Sequence, residues 1–118
     1  MNKREIGTKY EESAAKYLED RGYMIEQRNY RNRYGEIDII AKKERTWVFC
    51  EIKYRSSAAC GDPSEAVDYR KQKKICRTAF CFYASHGFTE EVPCRFDVLS
   101  VYADGSIVHL ENAFGFQL

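Results

Sequence analysis

A chain of 118 residues, 44% of them hydrophobic and 14% aromatic, has material for one core and not for two, so residues 1–118 are expected to form a single domain. Nineteen Lys and Arg against eighteen Asp and Glu leave a net charge of +1. That excludes bulk charge as the mark of a nucleic-acid binder and puts any such case on local clustering. Five cysteines without a Cys-x-x-Cys pair, a polar amino terminus and no apolar run of membrane-spanning length argue against a disulfide scaffold, structural zinc, secretion and membrane insertion; the expected compartment is the cytoplasm.

In chain order, Ile6, Tyr10, Ala14, Tyr17 and Leu18 recur at helical spacing over residues 5–21, and Gly22 is placed to end that helix. Glu11 shares a face with Ala14, Ala15 and Leu18, where an acid is either part of a site or a rim residue with its stem along the core. Glu12, Lys16, Glu19 and Asp20 read as a solvated face. Residues 23–30 alternate well enough to be a first strand, and residues 31–35 read as a turn. Arg28, Arg31 and Arg33, interleaved with Tyr30 and Tyr34, suit phosphate contact and base stacking; solvated turn arginines are the plainer reading.

Residues 35–55 hold two β-branched, aromatic runs on either side of Lys42-Lys43-Glu44-Arg45-Thr46, the pattern of an antiparallel hairpin. A turn centred between Glu44 and Arg45 pairs Ala41 with Val48, Ile40 with Phe49, Ile39 with Cys50 and Asp38 with Glu51. Alternation then puts Glu36, Asp38, Ile40, Phe49, Glu51 and Lys53 on one face and Ile37, Ile39, Ala41, Val48, Cys50 and Ile52 on the other. Opposed carboxylates with Cβ atoms roughly 4.5–5.5 Å apart repel. A divalent cation relieves that repulsion, because Mg²⁺ is held by one or two carboxylates together with waters and substrate phosphates. Lys53 on the same face can then orient or deprotonate a water or stabilise charge at phosphorus. The plainer reading pairs Lys53 with Glu36 in a structural ion-pair network.

Residues 56–61, Ser-Ser-Ala-Ala-Cys-Gly, read as a mobile loop beside this site. Asp62-Pro63-Ser64-Glu65 is a helix-opening signal, and the helix is expected to reach about Ser85, before Gly87, with a break on the way. Its first half carries Arg70, Lys71, Lys73, Lys74 and Arg77, a density that favours phosphate-backbone binding over a merely solvated face. Gln72 inside the run is placed to meet the edge of the site, and Arg55, ending the second hairpin strand, joins the candidate nucleic-acid contacts. Ile75, Cys76, Ala79, Phe80, Phe82 and Tyr83 make the second half core-like. Strands are expected at residues 94–102 and 106–110, joined by a two-residue turn at Asp104-Gly105. Asp97 reads as a structural hydrogen-bonding acid, and His86 and His109 give no dyad signal.

The order helix, three strands, helix, two strands, with an acid on the second strand and Glu-x-Lys on the third, resembles the PD-(D/E)XK, restriction-endonuclease-like core. Gly7-x-x-x-Glu11-x-x-Ala14-Ala15-x-Tyr17-Leu18, Gly22-Tyr23, Arg28-Asn29-Tyr30-Arg31, residues 35–41, Val48-Phe49-x-Glu51-Ile52-Lys53-x-Arg55 and Asn112-Ala113-Phe114 resemble the bacterial YraN-like family, related to Holliday-junction resolvases and RecB-type nucleases. The resemblance implies an α/β fold, αβββαββ, with a mixed central sheet flanked by helices. It also implies Asp38, Glu51 and Lys53 in the metal-binding and catalytic places, with Glu11 as the acid of the first helix. Tyr10, where the family usually has glycine, places a bulky ring beside Glu11; Cys50 replaces a usual valine and is expected to pack harmlessly.

The resulting expectation is a Mg²⁺-dependent (or Mn²⁺-dependent) endonuclease acting on DNA, branched or otherwise structured. Asp38 and Glu51 hold the metal, Lys53 positions water, and homodimerisation is possible in an enzyme that cuts two strands. The alternative is a nucleic-acid-binding or DNA-processing adaptor that keeps the fold without cutting, and a third is a protein-interaction module whose basic helix meets an acidic partner.

Overall fold

The computed structural model describes residues 3–55, 67–89 and 91–117, with side chains from residue 7 onward. Its elements are α1 (Lys3–Asp20), β1 (Met24–Asn32), β2 (Gly35–Lys43), β3 (Thr46–Arg55), α2 (Tyr69–Ser85), β4 (Cys94–Tyr102) and β5 (Ile107–Phe114), the expected αβββαββ order. One sheet in the order β1-β2-β3-β4-β5 contains all five strands. Only β3 and β4 run parallel, as a long crossover through α2 requires. Among the described residues no helix is long and apolar enough to cross a membrane.

Both faces of the sheet are covered, which explains why β2, β3 and β4 are apolar almost throughout. Ala14, Ala15 and Leu18 of α1 pack on Ile39, Ala41, Val48, Cys50, Leu99 and Val101. Ile75, Cys76, Ala79 and Phe82 of α2 pack on Ile37, Ile40, Trp47, Phe49, Phe96 and Val98. The charge-rich sequence leaves α1 one narrow apolar stripe, and small Ala14 and Ala15 let its backbone approach the strands closely.

The hairpin register is the expected one from Lys43–Thr46 to Ile39–Cys50. There the ladder stops. Asp38 does not sit across from Glu51 as an ordinary ladder pair; its Oδ2 accepts the Ile52 backbone N–H at 2.8 Å, so a side chain has replaced the main chain as acceptor. Asn29, opposite this point on β1, has φ +52°, a left-handed conformation that asparagine tolerates. Alternation breaks here too, and Ile37 packs with Ile40 against α2, not with Ile39 and Ala41 as a strict period of two would place it.

Other differences have local causes. β1 continues through Arg31 to Asn32, whose side chain accepts the Tyr34 N–H and so makes the turn shorter than expected. α2 opens at Tyr69, capped by Asp68, which is extended (φ −75°, ψ 170°) and accepts the Lys71 N–H at 2.8 Å. The helix therefore does not run continuously from Pro63, and the Asp62–Glu65 signal and the 56–61 loop lie outside the described residues. Phe80, expected in the core, is 52% exposed. The turn after β4 is longer than two residues, with Tyr102 N–H bonded to Ser106 O, and β5 runs on to Phe114.

Asp97 is the structural acid expected of it, and more. Its fully buried carboxylate accepts from Arg95 Nε at 3.0 Å, the Asn112 N–H at 2.9 Å and the His109 ring Nε2 at 2.7 Å. Arg95 also reaches Tyr23, and the other His109 nitrogen meets the Tyr17 hydroxyl, so the network ties α1, β4 and β5 together. Burial works against the Asp97 charge, but the His109, Arg95 and Asn112 bonds outweigh it and hold the carboxyl below its ordinary range. Asp97→Asn leaves cationic and N–H donors facing an amide and is expected to cost about 2–4 kcal/mol in urea unfolding at neutral pH. Because the native carboxyl is the stronger acid, that deficit should be complete above about pH 4 and shrink in stronger acid, as wild type loses the same charge.

Candidate metal and phosphate site

The candidate site lies where β2 and β3 part. Gly35, Glu36, Asp38, Glu51, Lys71, Lys74 and Ile75 line a cleft of about 180 Å³ between this seam and the first turns of α2. Gly35 is needed there, since a Cβ would stand 3.1 Å from the Thr78 hydroxyl oxygen. A roomier cleft of about 550 Å³ lies at the far end of α2, lined by Phe49, Phe80, Tyr83, Phe88, Val92 and Phe116 among others; it is mostly apolar, and among the described residues no carboxylate lines it.

Two acids expected in one place are brought together, and both are compromised by it. Burial, then the charge of Glu51, then Glu36 and Glu11, push the Asp38 carboxyl up to about 7 against the opposing pull of the Ile52 N–H. Glu51 is deeper, with a side chain only 8% exposed. A carboxylate so far from water needs a counter-charge. Lys71 Nζ supplies it at 2.5 Å from Oε1, and Lys53 Nζ stands 3.6 Å from the same oxygen.

The two lysines respond in opposite directions. Burial and the neighbouring Lys71 ammonium lower the Lys53 pKa, with Glu51 only partly restoring it. For Lys71 burial is again the largest influence and acts downward, but its bond and charge pairing with Glu51 outweigh it and the net shift is upward. Lys71 is thus the firm cation of the pair, while Lys53 is the one more readily made neutral, the form able to accept a proton.

The remaining expected residues are spread around this centre. Glu11, on the α1 side, contributes the weakest of the acidic influences on Asp38, so it belongs to the surroundings of the site. Tyr10 beside it stacks on Tyr54 of β3 with ring centroids 4.3 Å apart. Glu36 pairs with Arg31 at 3.2 Å, so the acid that Lys53 meets is Glu51 and not the expected Glu36. Arg28 is engaged with Glu12 of α1, and Arg33 lies over the Tyr34 ring. Tyr30 packs edge-on to Phe82 in the core, so base stacking falls to Tyr34 if it occurs in this cluster. Gln72 does not line the cleft: it donates to Val67 O and accepts from Gln117. Arg70 and Lys74 are exposed on α2, Lys73 lies over Tyr69 and Arg55 ends β3.

Sequence reasoning missed the Lys71–Glu51 pair, because it began the helix near Pro63 and so could not phase Lys71 against the sheet. It also missed His109, because the expected two-residue turn at Asp104-Gly105 sets it across from Ser100, whereas the longer turn sets it across from Leu99, which alternates onto the face of Asp97.

The chain can also be set beside known proteins. The model of the uncharacterised protein family UPF0102 matches residues 10–101, most of the chain. The chain belongs to the UPF0102 family. A UPF0102 protein of Lachnoclostridium phytofermentans is 43% identical over 97% of this chain and 96% of its own. One of Alkaliphilus oremlandii is 48% identical over 97% and 100% respectively. Among solved structures, Pyrococcus furiosus SfsA in complex with Ca²⁺ overlays with a TM-score of 0.42 at 14% identity, over 99% of this chain and 66% of that one; so loose an overlay says nothing of function.

The donor set of this UPF0102 protein suits a hard divalent cation. Among the described residues no three His, Cys, Asp or Glu side chains form a ready-made metal cage. Mg²⁺ does not need one: two carboxylates suffice when water and phosphate oxygens complete the shell. That an ammonium already stands against Glu51 shows that this position favours positive charge.

Proposed function

We propose that this UPF0102 protein is a divalent-metal-dependent phosphodiesterase that cuts DNA, branched or otherwise structured. The observation that carries the reading is the convergence of Asp38, Glu51 and Lys71 on one cleft, with Lys53 Nζ 3.6 Å from the Glu51 carboxylate and Asp38 pushed up to about 7 by burial and its acidic neighbours. A buried carboxyl held at the edge of ionisation beside a second acid is suited to accept a cation that answers both.

Asp38 and Glu51 would hold Mg²⁺ or Mn²⁺, which when bound polarises the scissile phosphate and acidifies water. Lys53 orients the attacking water and, when neutral, accepts its proton. Attack forms the new P–O bond as the bond to the leaving sugar oxygen breaks, giving a phosphomonoester and a free hydroxyl. Arg70, Lys73 and Lys74 on α2, with the Arg28, Arg31, Arg33 and Arg55 group, offer cations to flanking phosphates. The test is incubation of purified protein with duplex, single-stranded, flapped and four-way DNA in Mg²⁺ or Mn²⁺. Cleavage of at least one that stops on chelation is expected, and inertness across the panel rejects the proposal.

A second reading rests on one observation, the 2.5 Å Lys71–Glu51 pair, which neutralises the deeper of the two site carboxylates without any metal. On it the chain is a DNA-binding adaptor. Binding would then be salt-sensitive and indifferent to metal, and replacing Arg70, Lys73 and Lys74 with glutamine would lower the slope of log K against log salt by about 0.9 for each phosphate no longer neutralised.

A further inference from the structure

The Glu51 carboxylate carries two ammonium groups on one oxygen, Lys71 at 2.5 Å and Lys53 at 3.6 Å, and its side chain is 8% exposed. Lys53 comes from the same strand two residues on. Lys71 comes from the other side of the cleft, and its helical backbone is pinned, because its N–H is held by the Asp68 cap at 2.8 Å. Its side chain is not: it is 41% exposed and ends a flexible four-carbon stem. A carboxylate oxygen bound to Mg²⁺ at about 2.0–2.1 Å has no room on the same side for an ammonium at hydrogen-bond distance.

Resting on the metal-dependent reading above, we propose that Lys71 is a tethered stand-in for the divalent cation. Lys71 and metal exclude one another at Glu51, and a DNA phosphate that draws Lys71 away opens Glu51 to the metal. Loading of the site is thereby tied to substrate. Lys74 lines the same cleft and adds a second cation there for phosphate. Before substrate arrives, the buried carboxylate is satisfied and metal affinity is held down. Once a phosphate engages Lys71, that restraint goes, and by reciprocity bound metal raises DNA affinity through the same contact. Lys71 is a positioning residue in this scheme: it acts through Glu51 and not on the scissile bond.

Mn²⁺ binding, followed by the electron paramagnetic resonance signal of the free ion, tests this apart from turnover. Wild type and Lys71→Met, which keeps the stem and removes the charge, are titrated with and without a phosphorothioate duplex that resists cleavage. Without DNA, Lys71→Met is expected to bind Mn²⁺ about tenfold more tightly than wild type, within the usual range of coupling. DNA should raise the affinity of wild type by more than it raises that of the variant. A second measurement needs no substitution: labelling of Lys71 by an acetylating reagent, read by mass spectrometry, should accelerate several-fold when Mg²⁺ is added to wild type. Equal Mn²⁺ affinities in the two proteins, or unchanged Lys71 labelling, overturn the stand-in role while leaving a metal site at Asp38 and Glu51. No Mn²⁺ binding by either protein, with or without DNA, overturns both this role and the metal-dependent reading.

Discussion

With Lys53 replaced by alanine, metal-dependent DNA cleavage is expected to fall by about 10²–10⁴-fold, the range associated with a positioned proton-transfer group. The fold should survive, because Glu51 keeps its closer partner Lys71 at 2.5 Å. The Lys53–Glu51 contact is the longer of the two at 3.6 Å, so circular dichroism and thermal melting should be close to wild type. Lys53→Arg is the sharper form of the same experiment. It retains the positive charge but cannot give up its proton, so it should remain inactive if Lys53 acts in its neutral form, and recover activity if only charge is required. Burial and Lys71 lower the Lys53 pKa, so cleavage should rise with pH as the neutral fraction grows, and should do so at a lower pH than an ordinary lysine allows. Full activity of Lys53→Ala on any substrate that wild type cuts would remove this residue from the chemistry.

Asp38→Asn is expected to abolish metal-dependent cleavage and yet make the protein more stable, by an amount that depends on pH. The native carboxyl is pushed up to about 7, against an ordinary value of 3.8 in the unfolded chain. Folded protein therefore holds this proton more tightly than unfolded protein does. Below about pH 4 both states are protonated and the group costs nothing. Between pH 4 and 7 stability is progressively lost, and above 7 the whole penalty is present. After a discount for the partial solvent access of Asp38, asparagine should gain about 1–3 kcal/mol at pH 8 and almost nothing at pH 4. The amide oxygen can still accept the Ile52 N–H, so the strand seam is not disturbed. Mg²⁺ affinity of wild type should climb up to tenfold per pH unit toward pH 7 and then level off, since metal and proton compete for one carboxylate. A variant no more stabilised at pH 8 than at pH 4 would show that Asp38 is not the strained acid described here.

Together the two substitutions separate function from folding. On the proposed function, Lys53 should be removable without loss of structure, whereas Asp38 would be retained at a cost in stability. Asp97 makes the useful contrast: another buried acid in the same sheet, but one surrounded by donors, with its carboxyl held low instead of high. Its removal should weaken the fold. Burial alone thus does not mark a functional carboxylate; the company it keeps does.

Much of this could be read along the chain. Alternating β-branched residues over 35–55 were enough to predict the β2–β3 register between Ile39 and Lys43. The apolar character of both strand faces predicted a sheet covered on two sides, and Gly22 and Gly87, both at positive φ, marked the two helix ends. Alternation also put Asp38, Glu51 and Lys53 on one face, but the ladder that was to pair Asp38 with Glu51 stops at Ile39–Cys50, and Asp38 bonds the Ile52 N–H instead.

What the sequence determined by itself is therefore the order of elements and the register of the central hairpin from Ile39–Cys50 to its turn, both set by side-chain alternation and turn signals. Only the tertiary structure decided that Asp38 turns into the seam to take the Ile52 N–H, that Lys71 comes across from α2 to neutralise Glu51, and that His109 and Arg95 converge on Asp97. These pairings depend on where a helix is docked and on which carboxylates burial has left in need of a partner. Charge compensation acts through space, and no spacing along the chain records which cation answers which buried acid.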